Sequence, residues 1–534
     1  MDCPENNSIR SRHLWTLAAL LLGLLALRVV AVVRADNIAS DGPTFLAMSR
    51  EIATEGLAET VLRYDYHPGY PAMVSAVGRG AGLDWPGGWV SAAQGISILM
   101  GLVAVTAVFL IGAELISPWP ALLGAGLFGL GERWIEINAD VLSGSAMLAL
   151  CMLGLLWSLR MRRLAAGRPG EAVAMAAMAG MSIGLGYLVR PEALVMLLAA
   201  GGLAFGSAHE QKVSVGRKFL LAGVVLLTTA TAVAPYAIWI GSLTAKKDVS
   251  DFASPGGWPL AVAGPQLWLG AMGTVVDAFR SAMGNVATVF LLVTLATWFG
   301  RYLLRLKLPG QVVYTPGAGA WWALAAPAGA MLAVVTALEA GQGGARYVSS
   351  RHLLIPAAVL APLAGLGVFT CVQWTLVIHR RWKIPHWPPG AWGIWVGLSV
   401  AAALVFAFPV LHENKGPART LGLELRDKLP RDYYWIGAEP WTPFFAGAPM
   451  EQFRNHQTHP WRIRFDRPVS VDSLLSHARQ LPGSSVCLAV DSNFFDDYPG
   501  LQQKIEADGR FTLLARKDGP RYIAYLYLCR PGRG

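Results

Sequence analysis

Along the first three quarters of the chain apolar residues come in blocks, with no alternation short enough for a sheet. The blocks fall at roughly 14–33, 88–111, 117–131, 140–159, 172–188, 191–207, 219–241, 282–304, 320–338, 352–377 and 391–411. A helix needs about 20 predominantly apolar residues to cross a bilayer, so these blocks predict about eleven spans. The first is interrupted only by Arg28 and is too long for a signal-peptide core, which makes it a retained anchor. Block 117–131 is short, and 172–207 is divided only by a turn around Arg190.

The pattern changes near His412. Beyond it, helix-like spacing over Thr420–Leu429, Val471–Leu481 and Leu501–Ala507 alternates with strand-like runs at Tyr433–Gly437, Ser485–Val490, Phe511–Ala515 and Tyr522–Leu528. Such mixed periods predict a small α/β domain over 412–534, and about 120 residues suffice for a core of its own. Residues 1–411 form the transmembrane domain, broken by two long loops, 34–87 and 242–280. Within the first loop, the segments starting at Thr44 and Tyr70 read as amphipathic helices lying along the interface. The Gly180–Gly184 pair has the small-xxx-small spacing of close helix packing.

Composition agrees: 54% of residues are hydrophobic and only 15% charged, against about 25% charged in a soluble domain. Mean hydropathy is +0.43. The net charge of +10 gathers in short loops, at Arg160–Arg163, Lys212–Lys218, Arg301–Lys307 and His379–Lys383. The positive-inside rule then puts those loops and the N-terminus in the cytoplasm, and loops 34–87 and 242–280 and the tail outside. The compact tail and Ala/Gly-rich spans favour a bacterial cytoplasmic membrane, and the charge reflects topology and not nucleic-acid binding. Cys3, Cys151 and Cys371 are scattered over cytoplasmic and spanning segments. Cys487 falls in a strand-like run of the tail and Cys529 directly after another, where a disulfide and a packed core are equally open. No CxxC, HExxH or His-rich pattern marks a protein-built metal site, so no cofactor is assigned and a divalent ion is left open.

Five short segments add a further layer: Ser40–Arg50 (SDGPTFLAMSR), His67–Tyr70 (HPGY), Asn138–Ser143 (NADVLS), Tyr187–Ala193 (YLVRPEA) and Arg346–Ile355 (RYVSSRHLLI). In this order, between a first span and an external α/β tail, they resemble the GT-C glycosyltransferases. The narrower resemblance is to glycosyltransferase family 39, the protein O-mannosyltransferases and lipid A aminoarabinose transferases. That resemblance implies a polyprenyl-phosphate sugar donor and an acidic residue in the first external loop that activates the acceptor. Asp41 is the favoured match and Asp36 the alternative, because Gly42 follows where the family often has Glu. An Asp before Pro43 also suits a helix cap.

A phosphate leaves as a stable anion, so one base plus cations to hold the phosphate is enough, and direct attack inverts the anomeric centre. External cations are scarce under the topology rule, which singles out Arg190, Arg346 and Arg351, with Lys246 and Lys247 weaker; headgroup snorkelling is the bland alternative for each. His67 falls where the family displays a loop facing the donor phosphate. Glu192 is placed to orient Arg190, and Asp140, with Glu132 and Glu136, sits in the second external loop.

The reading is an inverting, membrane-embedded sugar transferase acting on an acceptor protein, lipid or glycan at the outer face, among membrane lipids. A transporter or flippase and a non-catalytic scaffold displaying the tail are the rivals. The topology has a direct test: a reporter active only in the cytoplasm, fused after Gly534, is expected to stay silent. A strong signal there would put the loop aspartates on the wrong face.

Overall fold

The computed structural model describes residues 9–205, 213–244, 265–302, 318–341, 348–382, 411–412, 415–430, 433–453, 469–481 and 485–530. The chain divides into two compact units, neither continuous in sequence. One comprises Met1–Val30, Gly95–Ala139 and Ser143–Phe408; the other Ala31–Gln94, Asp140–Leu142 and Pro409–Gly534.

The first unit is helical. Six helices among the described residues are long and apolar enough to cross a membrane: Ser11–Val33, Gly87–Leu115, Gly144–Leu164, Pro169–Val189, Val215–Ile240 and Ser350–Val372. They answer six of the expected spans, and two of them run on into the second unit. Others differ for local reasons. Pro118–Gly129 has 12 residues, about 18 Å at 1.5 Å per residue, well short of a 30 Å hydrocarbon core. Pro191 opens a 3-10 turn, leaving Met196–Phe205 as a short helix. Near 282–304, Gly284 takes φ +84, a left-handed conformation that glycine adopts freely. The chain bends there by 107° between Gln266–Met283 and Asn285–Phe299. Helix Ala318–Gly341, with 24 residues and Pro327 inside it, covers the block at 320–338, and 391–411 lies almost wholly outside the described residues.

The Gly180–Gly184 pair does what small residues do between helices. A Cβ on Gly180 would sit 2.3 Å from the Val225 carbonyl oxygen, and one on Gly184 3.0 Å from that of Thr229. The Thr229 hydroxyl uses this approach to donate to the Gly180 carbonyl at 3.0 Å.

In the second unit, helices Gly42–Glu55 and Gly69–Gly80 pack on each other, matching the two amphipathic segments of the first loop. The tail builds a four-stranded sheet from β1 (Tyr434–Gly437), β2 (Val486–Asp491), β3 (Phe511–Asp518) and β4 (Ile523–Cys529), in the order β1-β2-β4-β3. β1 runs parallel to β2; β4 is antiparallel to β2 and to β3. Central β2 is buried throughout, which is why it reads as a continuous apolar run; β3, at the edge, is largely exposed and charged.

The register decides the cysteine question. Val486 faces Cys529 and Cys487 faces Leu528, and successive side chains of a strand point to opposite faces. Cys487 and Cys529 therefore lie on opposite sides of the sheet, and both are free and buried. Burial pushes their thiols up, to about 12 for Cys487 and about 11 for Cys529, so both are poor nucleophiles. Alkylation of the unreduced protein is expected to label neither thiol while folded and both after denaturation. Failure to label the pair in denaturant would require a bridge and a different register.

Candidate acidic site

The segment between Asp36 and Asp41 has little regular structure, yet its backbone is held from several directions. The Asp36 N–H donates to the Leu411 carbonyl at 3.1 Å, and its own carbonyl accepts from Arg419 at 3.4 Å. Asn37 donates through its side chain to the Lys415 carbonyl at 2.8 Å, while its side-chain oxygen accepts from the Ile38 N–H at 2.9 Å. The Ile38 carbonyl accepts from the Trp441 indole at 2.8 Å, and the Ala39 N–H donates to Asp140 Oδ1, also at 2.8 Å. A loop free of helix or sheet must satisfy its polar groups this way when buried.

Asp140 is the hub. Only 2% exposed, it accepts on Oδ1 from Ala39 and from its neighbour Val141 at 2.7 Å, and its Oδ2 meets His412 Nε2 at 2.7 Å. His412 itself has φ +54, a left-handed conformation uncommon for a residue with a Cβ. The sequence marks Asp140 as an external acid; its geometry makes it a fastener of three segments.

Asp41 occupies the N-cap position of helix Gly42–Glu55, with Pro43 in the first turn, but its side chain makes no capping bond. The cap expectation thus holds for position only. Its half-buried carboxylate accepts instead from the Tyr66 hydroxyl at 3.4 Å. Tyr66 stands edge-on to Phe45, which stands edge-on to Tyr70. Asp36, by contrast, is exposed, and the bonds that tie it to Leu411 and Arg419 run through its backbone. Gly42 has a steric reason: a Cβ there would come within 2.9 Å of Ile38 and 3.3 Å of Val141. A glutamate at 42 would have to displace both.

His67 is buried, at 3% exposure, just before the Pro68 that opens helix Gly69–Gly80. It belongs to the second unit with Asp36, Asp41 and Asp140. Arg190, Glu192 and Arg351 belong to the first. Arg190 ends helix Pro169–Val189, and its Nη2 and Nε donate to the two Glu192 oxygens at 2.7 and 3.4 Å. That is the expected orienting pair, in the fork geometry only arginine offers. Arg351 lies in the 3-10 turn Ser350–Leu353, anchored by a 2.8 Å bond from Arg133 to Ser350. Arg133 is itself paired with Glu136. Arg346, Lys246 and Lys247 lie outside the described residues. Among the described residues no group of three His, Cys, Asp or Glu side chains is arranged to hold a metal.

No protein-family model matches the chain, and no curated protein sequence matches it. Solved structures do. The crystal structure of ArnT from Cupriavidus metallidurans bound to undecaprenyl phosphate superposes with a TM-score of 0.59 at 12% identity, covering 95% of this chain and 97% of that one. The archaeal oligosaccharyltransferase AglB from Archaeoglobus fulgidus, in complex with an inhibitory peptide and a dolichol-phosphate, gives 0.54 at 13%, covering 96% and 74%. The chain thus has the polytopic GT-C fold of these glycosyltransferases.

One further acid bears on the loop. Glu439 is 1% exposed; its Oε2 accepts from the N–H groups of Trp441 and Thr442 at 2.7 and 3.0 Å, while Oε1 has no hydrogen-bond partner among the described residues. Burial pushes its carboxyl up to about 7, against the Thr442 and Trp441 bonds and with help from nearby Asp491. The folded-state value lies above the unfolded one, so its contribution is complete below about 4.5 and is lost as pH rises through about 7. At about 1.4 kcal/mol per unit the loss is on the order of 3 kcal/mol. Glu439→Gln, which keeps an acceptor for both N–H groups, is expected to raise the thermal midpoint at pH 8 and to leave it unchanged at pH 5. An equal effect at both pH values would mean that ionisation of Glu439 is not the cause.

Proposed function

We propose that this protein transfers a sugar from a polyprenyl-phosphate carrier to an acceptor, with Asp41 as the base. The observation that carries the reading is a carboxylate at a helix N-cap that does no capping, on a backbone bound by Asp140, Leu411, Lys415 and Trp441. A cap would explain Asp41 without chemistry; the absent capping bond removes that explanation. Likeness over nearly the full chain to a structure bound to undecaprenyl phosphate supports a lipid-phosphate donor.

In this reaction Asp41 takes the proton of the acceptor nucleophile as it attacks the anomeric carbon, and the carrier phosphate departs with the bonding pair. No acid is needed, because the leaving group is already stable as an anion. Inversion follows from the single displacement. Arg190 is the favoured cation for the donor phosphate: Glu192 engages Nε and Nη2 and fixes the plane of the guanidinium. Arg351, Arg346 and His67 are further candidates. Tyr66 orients the base. The reaction belongs on the outer face of a bacterial cytoplasmic membrane, with the tail on the same side.

The test compares glycans and lipid carriers by mass spectrometry in a deletion strain. Loss of one glycosylated product together with build-up of its lipid-linked sugar is expected, and an unchanged profile would remove the transferase reading. Complementation then ranks the acids. Asp41→Asn is expected to cut transfer by about 10²-fold or more, the usual scale for a positioned acid-base group. Asp36→Asn, altering an exposed side chain while keeping its backbone bonds, is expected to do much less. Full activity in Asp41→Asn would discard the base assignment.

A further inference from the structure

The second unit handles its arginines in two ways. Arg63 faces three glutamates, Glu51 at 3.7 Å, Glu59 at 4.0 Å and Glu55 closer still. Arg50, on the same helix as Glu51 and Glu55, has no carboxylate partner among the described residues. Its guanidinium stacks over the Trp85 ring, 4.8 Å from the centroid. Arg426, just past helix Gly416–Leu425, donates to the Trp85 carbonyl at 2.8 Å and likewise has no carboxylate partner among the described residues. The two cations are close enough that Arg426, after burial itself, lowers the basicity of Arg50. Folding has brought like charges onto one residue without neutralising either.

Trp85 is a rigid platform. It stands edge-on to Trp89 at 5.9 Å and to buried Phe444 at 5.4 Å, and the Trp89 indole is tied to the Leu83 carbonyl at 3.1 Å. The half-buried Arg50 and exposed Arg426 both keep open donors. Trp85 and Trp89 also bracket the start of helix Gly87–Leu115, one of the membrane-crossing candidates. Tryptophans at the end of a span mark the interface, where lipid phosphates lie. Guanidinium groups bind phosphate oxygens with two donors at once.

We infer that Arg50 and Arg426, gathered on Trp85, form a binding site for the phosphate of an anionic lipid headgroup. The site does not depend on the transfer reaction and uses none of the residues proposed for it. Its occupant relieves the repulsion between the two guanidinium groups and ties the Gly42–Glu55 helix to the tail of the same unit.

Full-length protein, delipidated in uncharged detergent, can be titrated with phosphatidylglycerol and followed by native mass spectrometry. Retention is expected to be about tenfold weaker in the double variant Arg50→Gln/Arg426→Gln, the scale of lost charge-assisted bonds. Arg63→Gln should bind as the parent does, and diacylglycerol, which has the chains without the phosphate, should bind weakly to all. Because Arg50 supports Trp85, Arg426→Gln serves as a second variant. It should lose part of the affinity while its lipid-free thermal midpoint is no lower than the parent's, since one repulsion is gone. Equal phosphatidylglycerol retention in the parent, Arg426→Gln and the double variant would overturn the site. Displacement of the lipid by millimolar inorganic phosphate would overturn the lipid as its occupant.

Discussion

One buried carboxylate holds the candidate site in shape. Asp140 has almost no contact with water, and a polar group so placed is tolerable only when its oxygens are hydrogen-bonded. It meets that demand with groups from three separate stretches: the Ala39 N–H before Asp41, the Val141 N–H beside it, and the His412 ring at the entrance to the tail. Without Asp140 the buried Ala39 N–H would lose its acceptor. The bond therefore costs more to break than it contributes when made, an asymmetry typical of buried polar networks. The strained φ of His412 is consistent with a residue kept in place by its side-chain partner.

The tail extends the same logic. Trp441 reaches the Ile38 carbonyl with its indole while its own N–H is held by Glu439. Lys415 offers its carbonyl to Asn37, and its ammonium lies over the Trp441 and Tyr522 rings and 3.4 Å from Asp491. Tyr522 completes the group with a 2.7 Å bond to Asp491. The sheet thus supplies a packed and charged base to which the loop is fastened, which explains why a tail remote in sequence belongs to the same unit as residues 31–94. In the helical unit the comparable device is Arg28, fully buried within the first span, donating to the carbonyls of Leu24 and Gly129. A cation in such surroundings needs acceptors, and a helix end provides them.

Periodicity made the four strands of the tail readable to within a few residues, because strand and helix repeats differ, while the short helices Trp441–Ala446 and Ser492–Asp497 are too brief to show a repeat. Six spans were readable for the same reason. Two boundaries were less readable: the block at 191–207 opens in a 3-10 turn at Pro191 before its helix, and the expected loop 242–280 carries helix Pro265–Met283 up to the left-handed Gly284. The acids Asp36, Asp41 and Asp140 and the Arg190–Glu192 pair could be picked out as residues. The roles of His412, Asn37, Lys415 and Trp441 could not, since each acts through a partner tens to hundreds of positions away. Whether Cys487 and Cys529 bridge was equally hidden, because it turns on a one-residue register.

Register and reach also account for the departure at position 42. The family resemblance leads one to expect an acidic pair, yet here the second acid is replaced by glycine. Ile38 fills the space a side chain at 42 would take, with Val141 close behind it. The Ile38 atoms in the way are Cγ1 and Cδ1 of its side chain, while its backbone is held at both ends, the carbonyl by Trp441 and the N–H by Asn37. Val141 follows directly on Asp140, whose carboxylate it helps to satisfy. Any larger residue at 42 would have to turn the Ile38 tip away and press on the Cβ of Val141, next to the Asp140 bond. Glycine at 42 fits the loop without disturbing either neighbour.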